Sequence, residues 1–404
     1  MSQTREAAGT GGVHQPSIKE RREAIIRKMG FAEKHRLNLA PPNTTFWAIL
    51  SIVVVLTALG LTMVLSSSSI ANLNAGESPY RLFVRQSLWA LVGLAAAFFV
   101  YLRPYQSWRN EKLLFVMVVG SAGLNLVTPF IGRNINGATA WIQIGSFRIQ
   151  PSEFMKITVI LFCAHFLSLR HRYVAVWQKV LLPVLTVLGG AGFLLVLQKD
   201  YGTALVFALI VLTMLFMAGV PMGQMTGTTA ALAAAGMGVL TLADNASKRL
   251  FAFLNLDDEL VRKKDGYQVW QSILSIANGG VKGTGIGSGT SKWGYVPLAY
   301  SDFIFAVIAE ELGLLGSFLV IFGFVLLVFL GVRVALGARD MHGAFLAGGI
   351  TAWFGFQMFI NIGGILGVIP MTGITLPFMS YGGSSLVATM IASAVLLNVA
   401  RNMK

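Results

Sequence analysis

The stretch SDFIFAVIAEELGLLGSFLVIFGFVLLVFLGV, residues 301–332, decides the fold class of this chain. From its third residue onward it is apolar except for the adjacent pair Glu310 and Glu311. About 30 helical residues extend roughly 45 Å, which is longer than the apolar core of a membrane. We therefore expect a membrane-spanning helix that either breaks near Gly313 and Gly316 or begins inside an outer cavity lined by protein.

Similar apolar runs recur along the 404 residues, of which 55% are hydrophobic. A membrane-spanning helix needs roughly 20 apolar residues, and ten runs reach or approach that length. This pattern predicts an all-α polytopic membrane protein with about ten transmembrane helices. The ten runs are residues 46–65, 88–102, 113–131, 154–169, 180–197, 202–220, 226–242, 313–332, 344–369 and 385–399.

The net charge of +14 admits two explanations, which are nucleic-acid binding and the enrichment of Lys and Arg in cytoplasmic segments of membrane proteins. With the N-terminus inside the cell, 18 of the 31 Lys and Arg residues fall in the two termini and the short cytoplasmic loops. The second explanation is the simpler one. Both termini are therefore predicted to be cytoplasmic, and no nucleic-acid partner is expected.

The predicted domain organisation has two parts. Residues 1–45 are polar and basic and are expected to form a mostly disordered cytoplasmic tail, with a helix lying on anionic lipid as the alternative. Residues 46–404 form the transmembrane domain, whose largest outer connection, 243–302, joins the seventh and eighth spans. Another outer connection, 368–384, is rich in Gly and Pro, and irregular backbone at membrane depth needs a cover of protein or water. We therefore expect a cavity walled by both connections, with 243–302 as the catalytic loop.

Glu153 and Lys156 lie three residues apart at the start of the fourth predicted span, so a helix places them on one face. One interpretation is a salt bridge that lets two charges lie at the membrane boundary. The other is a cationic site for an anionic substrate, with Glu153 orienting Lys156. Ionisable residues inside spans are costly, and both interpretations stay open.

The segment GGVKGTGIGSG, residues 279–289, offers many glycines beside Lys282. Successive backbone N–H groups in such a loop can form a concave anion-binding site, which predicts a phosphate cradle. A flexible linker is the alternative.

Three acidic residues crowd the opening stretch, but a helix separates them. Glu310 lies about 80° around the axis and roughly 12 Å along it from Asp302, and Glu311 lies nearly opposite Asp302. This geometry disfavours a paired-carboxylate hydrolase. Asp302 alone at the helix start is either an N-cap or a general base. We expect Glu310 and Glu311 to point apart and to hold the helix against its neighbours through buried pairs.

Five segments carry a resemblance to a known family. They are NINGATAWI (134–142), IQPSEFMK (149–156), QKDYGTALV (198–206), SDFIFAVIAEELGLLG (301–316) and TGITLPFMSYGGSS (372–385). In this order they resemble the signature segments of the SEDS family (shape, elongation, division and sporulation), which are bacterial peptidoglycan glycosyltransferases with ten spans. The resemblance extends from about residue 46 to the C-terminus, and its last segment is more similar to the cell-division branch than to the elongation branch.

The resemblance implies that the chain polymerises lipid II, the undecaprenyl-pyrophosphate-linked disaccharide, during cell division. The reaction would take place at the outer face of the bacterial plasma (inner) membrane and release undecaprenyl pyrophosphate. The resemblance makes Asp302 the catalytic residue and Glu153 and Lys156 the family's Glu–Lys pair. The implied partners are lipid II, a class B penicillin-binding protein that acts as transpeptidase, and other divisome membrane proteins.

The chain departs from the family pattern at two places. The family commonly has an acidic residue and a histidine shortly before the aspartate, as in PE-x-H-T-D-F-I-F, whereas here LAYS precedes Asp302. In NINGATAWI, Ala140 stands where an arginine is often found. The absent acidic residue and histidine cannot be essential here, and the departure at position 140 weakens a phosphate site there.

A lipid pyrophosphate leaving group needs cations or a divalent metal. The predicted outward cations are, in falling order of preference, Lys156, Lys282, Lys292 and Arg133, and the predicted substrate-binding set adds Glu153, Ser380 and Ser384. A single carboxylate with no nearby nucleophile favours one-step displacement with inversion. No cofactor is predicted with certainty: Asp302 can help to bind Mg²⁺ or Mn²⁺, but the sequence contains no legible cluster of metal ligands.

Other functions stay open. A flippase that transports the lipid-linked precursor can use the same outer cavity, although it predicts polar residues through to the cytoplasmic side, and the sequence concentrates them outside. A division scaffold that recruits partners would tolerate the loss of Asp302. Within the enzyme class, an elongation-type polymerase is the alternative to a division enzyme.

Overall fold

The computed structural model describes residues 41–135, 137–145 and 147–403, so most of the predicted tail, residues 1–45, lies outside it. The helices are α1 (Thr44–Asn74), α2 (Arg81–Leu102), α3 (Glu111–Ile131), α4 (Pro151–Arg170), α5 (Leu181–Leu197), α6 (Tyr201–Met217), α7 (Met222–Leu242), α8 (Asp244–Leu254), α9 (Glu259–Lys263), α10 (Tyr267–Gly279), α11 (Ile304–Gly337), α12 (Met341–Ile365) and α13 (Gly383–Arg401). The strands are β1 (Arg133–Ile135), β2 (Ala138–Ile144) and β3 (Phe147–Ile149), and short 3₁₀ turns occupy Tyr105–Arg109, His171–Tyr173 and Ser291–Trp293.

The described part of the chain contains eight helices that are long and apolar enough to cross a membrane, namely α1–α4, α7 and α11–α13. Two further apolar helices, α5 and α6, have 17 residues each. These ten helices correspond one for one to the ten predicted runs. The predicted all-α polytopic fold is therefore confirmed.

Helices α4, α12 and α13 form the centre of the bundle. In their most apolar stretches 61%, 67% and 83% of the residues are buried, compared with 11% in both α2 and α7. Polar side chains on the central helices are thus shielded from water and from lipid headgroups. They need partners within the protein, because an unpaired polar group costs several kcal/mol in an apolar environment, on the order of 2–7 kcal/mol.

Helix α11 has the predicted break at Gly313. This residue has φ 67° and ψ −164°, a conformation that is essentially restricted to glycine. A Cβ atom here would lie 2.6 Å from the carbonyl oxygen of Val281 and would also meet the backbone nitrogen of Gly283. The glycine therefore serves two purposes, since it permits the break and lets the outer connection approach the helix backbone.

The connections that the sequence predicts to lie outside the cell, called the outer connections from here on, are folded rather than open. The one between α7 and α11 contains α8, α9 and α10, and Ser272 Oγ of α10 donates to the carbonyl of Ile365 at 2.8 Å. The connection after α3 forms a sheet of antiparallel strands in the order β1–β2–β3. A Cβ atom at Gly137 of this sheet would collide with the side chain of Asn245 in α8, so the two connections meet. The connection between α7 and α11 and the segment after α12 line the site described next.

Candidate active site

A cavity of about 320 Å³ lies between the outer connections. Its wall comes from α8, the start of α10, the turn before α11 and the segment that follows α12. The polar residues that line it are Asn245, Lys248, Arg249, Asp265, Gln268 and Asp302. The predicted cavity between 243–302 and 368–384 is confirmed, and charged groups of both signs face it.

Asp302 lies in the turn directly before α11, partly buried at the cavity wall. Helix α11 begins at Ile304, and no described side chain caps its N-terminus. Within the described ranges the Asp302 carboxylate makes no hydrogen bond or ion pair, whereas its backbone carbonyl accepts a hydrogen bond from Asn361 at 3.0 Å. The capping interpretation of Asp302 is therefore wrong, and its carboxylate is available to a ligand in the cavity.

The surroundings of Asp302 change its acidity. Burial raises the pKa of Asp302 to about 7, because the ionised form loses hydration. The guanidinium of Arg249 opposes this shift, and the carboxylate of Asp200 adds to it. A group that titrates near neutral pH accepts and releases protons readily, which suits general acid–base catalysis.

Arg249 reaches the cavity from α8. Its Nη1 donates a hydrogen bond to the carbonyl of Thr372 at 2.7 Å, which fixes the guanidinium against the segment after α12. A Cβ atom at Gly373 would lie 3.5 Å from both terminal nitrogens of Arg249 and 3.7 Å from Oδ2 of Asp302. Arg249 and Asp302 thus border the same glycine without forming an ion pair with each other.

The sequence-based prediction missed Lys248 and Arg249. Both lie in DNASKRLFAFL, residues 244–254, directly after the seventh span. This segment folds as α8, in which the polar residues share one face and the apolar residues the other. The amphipathic pattern was the available signal for a surface helix with a cationic face.

The seven predicted substrate-binding residues all lie in the described ranges, and none of them lines this cavity. Arg133 and Lys282 are exposed elsewhere on the outer connections. Ser380 and Ser384 are buried, and their hydroxyls accept hydrogen bonds from backbone N–H groups. These two serines therefore hold the backbone around α13.

Glu153 and Lys156 form a buried ion pair at the start of α4. The distance from Lys156 Nζ to Glu153 Oε2 is 2.8 Å, and the two side chains are 2% and 5% exposed. Lys156 Nζ also donates to Oε1 of Gln357 in α12 at 2.8 Å. The salt-bridge interpretation of this pair is confirmed, and the amine has partners inside the bundle.

Glu310 is fully buried and accepts hydrogen bonds from the outer connection. Its carboxylate receives the backbone N–H of Thr290 at 2.8 Å and of Ser291 at 3.0 Å. The hydroxyl of Thr290 and the side-chain amide of Asn278 also donate to this carboxylate, at 2.6 Å and 2.9 Å. Glu310 has no cationic partner among the described residues, so the expected buried pair is wrong for this glutamate.

Glu311 is equally buried and does have a cationic partner. Lys292 Nζ lies 3.4 Å from Glu311 Oε1, and Lys292 also donates to the carbonyl of Gly287. Ser66 Oγ and the backbone N–H of Gly287 donate to the same carboxylate at 2.7 Å and 3.0 Å. The expected buried pair is confirmed for Glu311, and Lys292 is placed in the protein interior rather than in the cavity.

These contacts give the glycine-rich segment 279–289 a role that differs from both predictions for it. Together with the residues that follow it, the segment directs its N–H groups at Glu310 and Glu311 of the same chain, not at a phosphate ligand. It is also fixed rather than a free linker, since Thr284 and Gly285 donate to the backbone carbonyls of the two glutamates at 2.9 and 3.0 Å. We call residues 278–292 with Glu310 and Glu311 the carboxylate clamp.

The residues around Asp302 do not form a metal site of their own. In the part of the chain that the structure describes, no three His, Cys, Asp or Glu side chains come together as metal ligands. Asp265 is the other carboxylate of the cavity lining, and Lys248 and Arg249 bring positive charge to the same space. The donor set therefore does not fit a divalent cation held by the protein, and no step below uses one.

Comparison with known proteins adds to the geometry. The family described as "Cell cycle protein", which comprises FtsW, RodA and SpoVE, matches residues 46–404. The stage V sporulation protein E of Bacillus subtilis is 36% identical over 351 residues, which cover 87% of this chain and 95% of that protein. A probable peptidoglycan glycosyltransferase FtsW of Geobacter metallireducens is 36% identical over 378 residues, which cover 91% and 98%.

Solved structures are similar over most of the chain. A chain of a peptidoglycan synthase complex, in which polymerization and crosslinking are coordinated, superposes with a TM-score of 0.72 at 28% identity. That match covers 88% of this chain and 97% of the other. The rod shape determining protein RodA of Thermus thermophilus superposes with a TM-score of 0.66 at 26% identity, covering 91% and 99%.

The carboxylate clamp leads to a stability prediction. Lys292→Met leaves the buried Glu311 without its cation, which costs on the order of 3 kcal/mol or more. We expect a clearly lower melting temperature in detergent, measured by the loss of the monodisperse species on heating. Glu311→Gln should also lower the melting temperature, with the chemical step retained in the folded fraction.

Lys282→Met is the matched control, because Lys282 lies in the same connection but is exposed. It should melt like the wild type. The double variant Lys292→Met/Glu311→Gln should recover part of the loss, because no buried charge is then left unpaired. Equal melting temperatures for Lys292→Met and Lys282→Met would contradict a clamp that depends on charge.

Proposed function

Because the chain belongs to the FtsW/RodA/SpoVE family of cell cycle proteins, we propose that it polymerises lipid II with Asp302 as the general base. The family prediction made from the sequence motifs is confirmed by these relatives. The chain is a peptidoglycan glycosyltransferase, the activity for which FtsW relatives at 34–36% identity are named. The observation that carries the assignment of the base is the Asp302 carboxylate, which faces the cavity and has neither a capping contact nor an ion pair with any residue that the structure describes.

The proposed reaction is a single displacement at a sugar carbon. Asp302 accepts the proton of the acceptor hydroxyl as the hydroxyl oxygen attacks the anomeric carbon of the donor. The new glycosidic C–O bond forms while the C–O bond to the diphosphate breaks, and undecaprenyl pyrophosphate leaves with the electron pair. The configuration at the anomeric carbon inverts. Asp302 then releases its proton to solvent, which a pKa of about 7 permits near neutral pH.

The departing diphosphate needs positive charge in the cavity. Arg249 and Lys248 are the cations that line it, and we assign this role to them rather than to the cations predicted from sequence. One terminal nitrogen of Arg249 is held by the carbonyl of Thr372, so the guanidinium is oriented before a substrate binds. A planar guanidinium with several donors matches phosphate oxygens well.

The setting of this reaction also belongs to the proposal. The chain is an integral membrane protein, and we place it in the bacterial plasma membrane with both termini in the cytoplasm and the cavity outside. The distribution of Lys and Arg supports this orientation. A role in division is supported by the relatives named FtsW. A class B penicillin-binding protein as partner is supported by the similar chain from a peptidoglycan synthase complex, in which polymerization and crosslinking are coordinated.

The first prediction from this proposal concerns the base. Asp302→Asn should reduce the rate of glycan formation from lipid II by roughly 10²- to 10⁴-fold, because the amide cannot accept the proton. The measurement uses the purified protein with a partner transpeptidase supplied, and the glycan polymer is resolved on a gel. Asp257→Asn is the matched control, since it makes the same chemical change at an exposed position of the same connection.

A normal rate with Asp302→Asn would show that Asp302 is not the base. If neither Asp302→Asn nor the wild type forms polymer with the transpeptidase present, transport or scaffolding is favoured instead.

The second prediction concerns Arg249. Arg249→Met should lower kcat/KM by about 10- to 100-fold, because a hydrogen bond to a charged group contributes on the order of 1.5–3 kcal/mol. The variant should also bind inorganic pyrophosphate, tested as an inhibitor, more weakly than the wild type. Lys263→Met in α9 is the control, because that lysine pairs with Glu259 and does not line the cavity. If Arg249→Met keeps the wild-type affinity for pyrophosphate, Arg249 does not hold the diphosphate.

A further inference from the structure

Two amide side chains lie in the interior of α12, one helical turn apart. Gln357 and Asn361 are each 1% exposed and therefore share one buried face of a central helix. A buried amide without partners is costly, so its hydrogen bonds indicate what it holds. Both amides are directed at the backbone that surrounds the Asp302 cavity.

Asn361 joins two parts of the cavity wall. Its Nδ2 donates to the backbone carbonyl of Asp302 at 3.0 Å and to that of Ile374 at 2.7 Å. The segment 372–375 also holds Arg249, through the carbonyl of Thr372. One amide group thus fixes the turn that carries Asp302 relative to the segment whose Thr372 carbonyl holds Arg249.

Gln357 fixes the same segment from one turn earlier in α12. Its Nε2 donates to the carbonyl of Thr375 at 2.8 Å. Its Oε1 accepts from Lys156 Nζ at 2.8 Å and from Trp353 Nε1 at 2.5 Å. Because both neighbours only donate, they require the oxygen of the Gln357 amide on their side and therefore turn its NH₂ group towards Thr375.

The amine of Lys156 is enclosed by partners within the bundle. It lies 2.8 Å from Glu153 Oε2 as an ion pair and donates a hydrogen bond to Gln357 Oε1. The ring of Trp353 lies 4.6 Å from Nζ. Lys156 is also 2% exposed and does not line the cavity, so a diphosphate cannot reach it without unpacking α4 from α12.

From these contacts we infer that Gln357 and Asn361 are positioning residues for the reaction, and that Lys156 acts by orienting Gln357 rather than by contacting the substrate. The order of contacts is Glu153 to Lys156, Lys156 to Gln357, and Gln357 to the segment 372–375. Asn361 then ties that segment to Asp302. This inference rests on the proposed function, because it takes Asp302 and Arg249 as the groups that are positioned.

The test compares kcat and KM for lipid II polymerisation in Gln357→Met, Lys156→Met, the double variant and Asn361→Leu. A positioning role predicts a fall in kcat of about 10- to 100-fold with KM changed less than about threefold, because misplacement by 1 Å can cost 10²-fold in rate. The double variant should be no slower than the slower single variant, because both changes break the same chain of contacts. Gln357→Asn, which keeps an amide but shortens its reach, replaces Gln357→Met if that variant does not fold, and kcat should fall similarly.

The control is Asn398→Leu at the cytoplasmic end of α13. Asn398 is buried to the same 1% and donates to the backbone carbonyls of Tyr101 and Arg103, far along the chain from the cavity segments. It should lower the melting temperature while the folded fraction keeps the wild-type kcat. If this control loses as much kcat as Gln357→Met does, general destabilisation explains the effect and the inference is overturned.

Two further outcomes would overturn it. A raised KM with unchanged kcat in Lys156→Met would mean that Lys156 contacts the substrate directly. If the fold-losses in kcat of the two single variants multiply in the double variant, Lys156 and Gln357 act separately. The proposed function fails by a different result, namely wild-type polymerisation by Asp302→Asn, so the two failures can be told apart.

Discussion

Two buried carboxylates near the start of α11 hold the connection 278–292 against that helix. Glu310 and Glu311 are 0% and 1% exposed, and a carboxylate is tolerated there only when nearly all of its hydrogen-bonding capacity is used. Apart from Ser66 of α1, their partners come from the connection 278–292, which is therefore packed over α11. The same connection links α10 to the turn that carries Asp302.

Three acids of one short stretch therefore have three different environments. Glu310 accepts hydrogen bonds from N–H and O–H donors, Glu311 is paired with a lysine and further donors, and the Asp302 carboxylate has no partner among the described residues. The first two environments hold the connection 278–292 against α11. The third disfavours the ionised form and raises the pKa, which is the pattern expected of a group that exchanges protons during a reaction.

The elements that local pattern determines were predictable from sequence. The ten apolar runs match ten helices, and the break at Gly313 follows from a helix too long for the membrane. Asp302 was identified as the base through the resemblance of its flanking residues to a family, since its local sequence left both a cap and a base open. In the structure no described side chain caps the N-terminus of α11, so the capping interpretation of Asp302 is excluded.

The contacts that were not predictable join residues far apart in sequence. Arg249 and Thr372 are separated by 123 positions, and Lys156 and Gln357 by 201. For Lys156 the sequence offers Glu153 three residues away, and a salt bridge was one of two open interpretations. Nothing near Lys292 in the sequence reveals that its amine is buried against a partner, so it was predicted to be an outward cation. The sheet at 133–149 was not predicted, and this region was recognised only as a family motif. Its short strands carry too few residues for a clear alternation of apolar and polar side chains. Tertiary contacts, rather than local propensity, decided which cations reach the cavity.

The central claim is that the free carboxylate of Asp302 is the base, and the pH dependence of polymerisation tests it most directly. Asp302 must be deprotonated to act, so kcat/KM should fall about tenfold per pH unit below pH 7 and level off above it. In Arg249→Lys, where the opposing guanidinium is replaced by a less well-placed amine, the residual activity should show the same limb displaced to higher pH. A wild-type rate that stays constant from pH 5 to pH 8, in protein that remains folded throughout, would contradict the account.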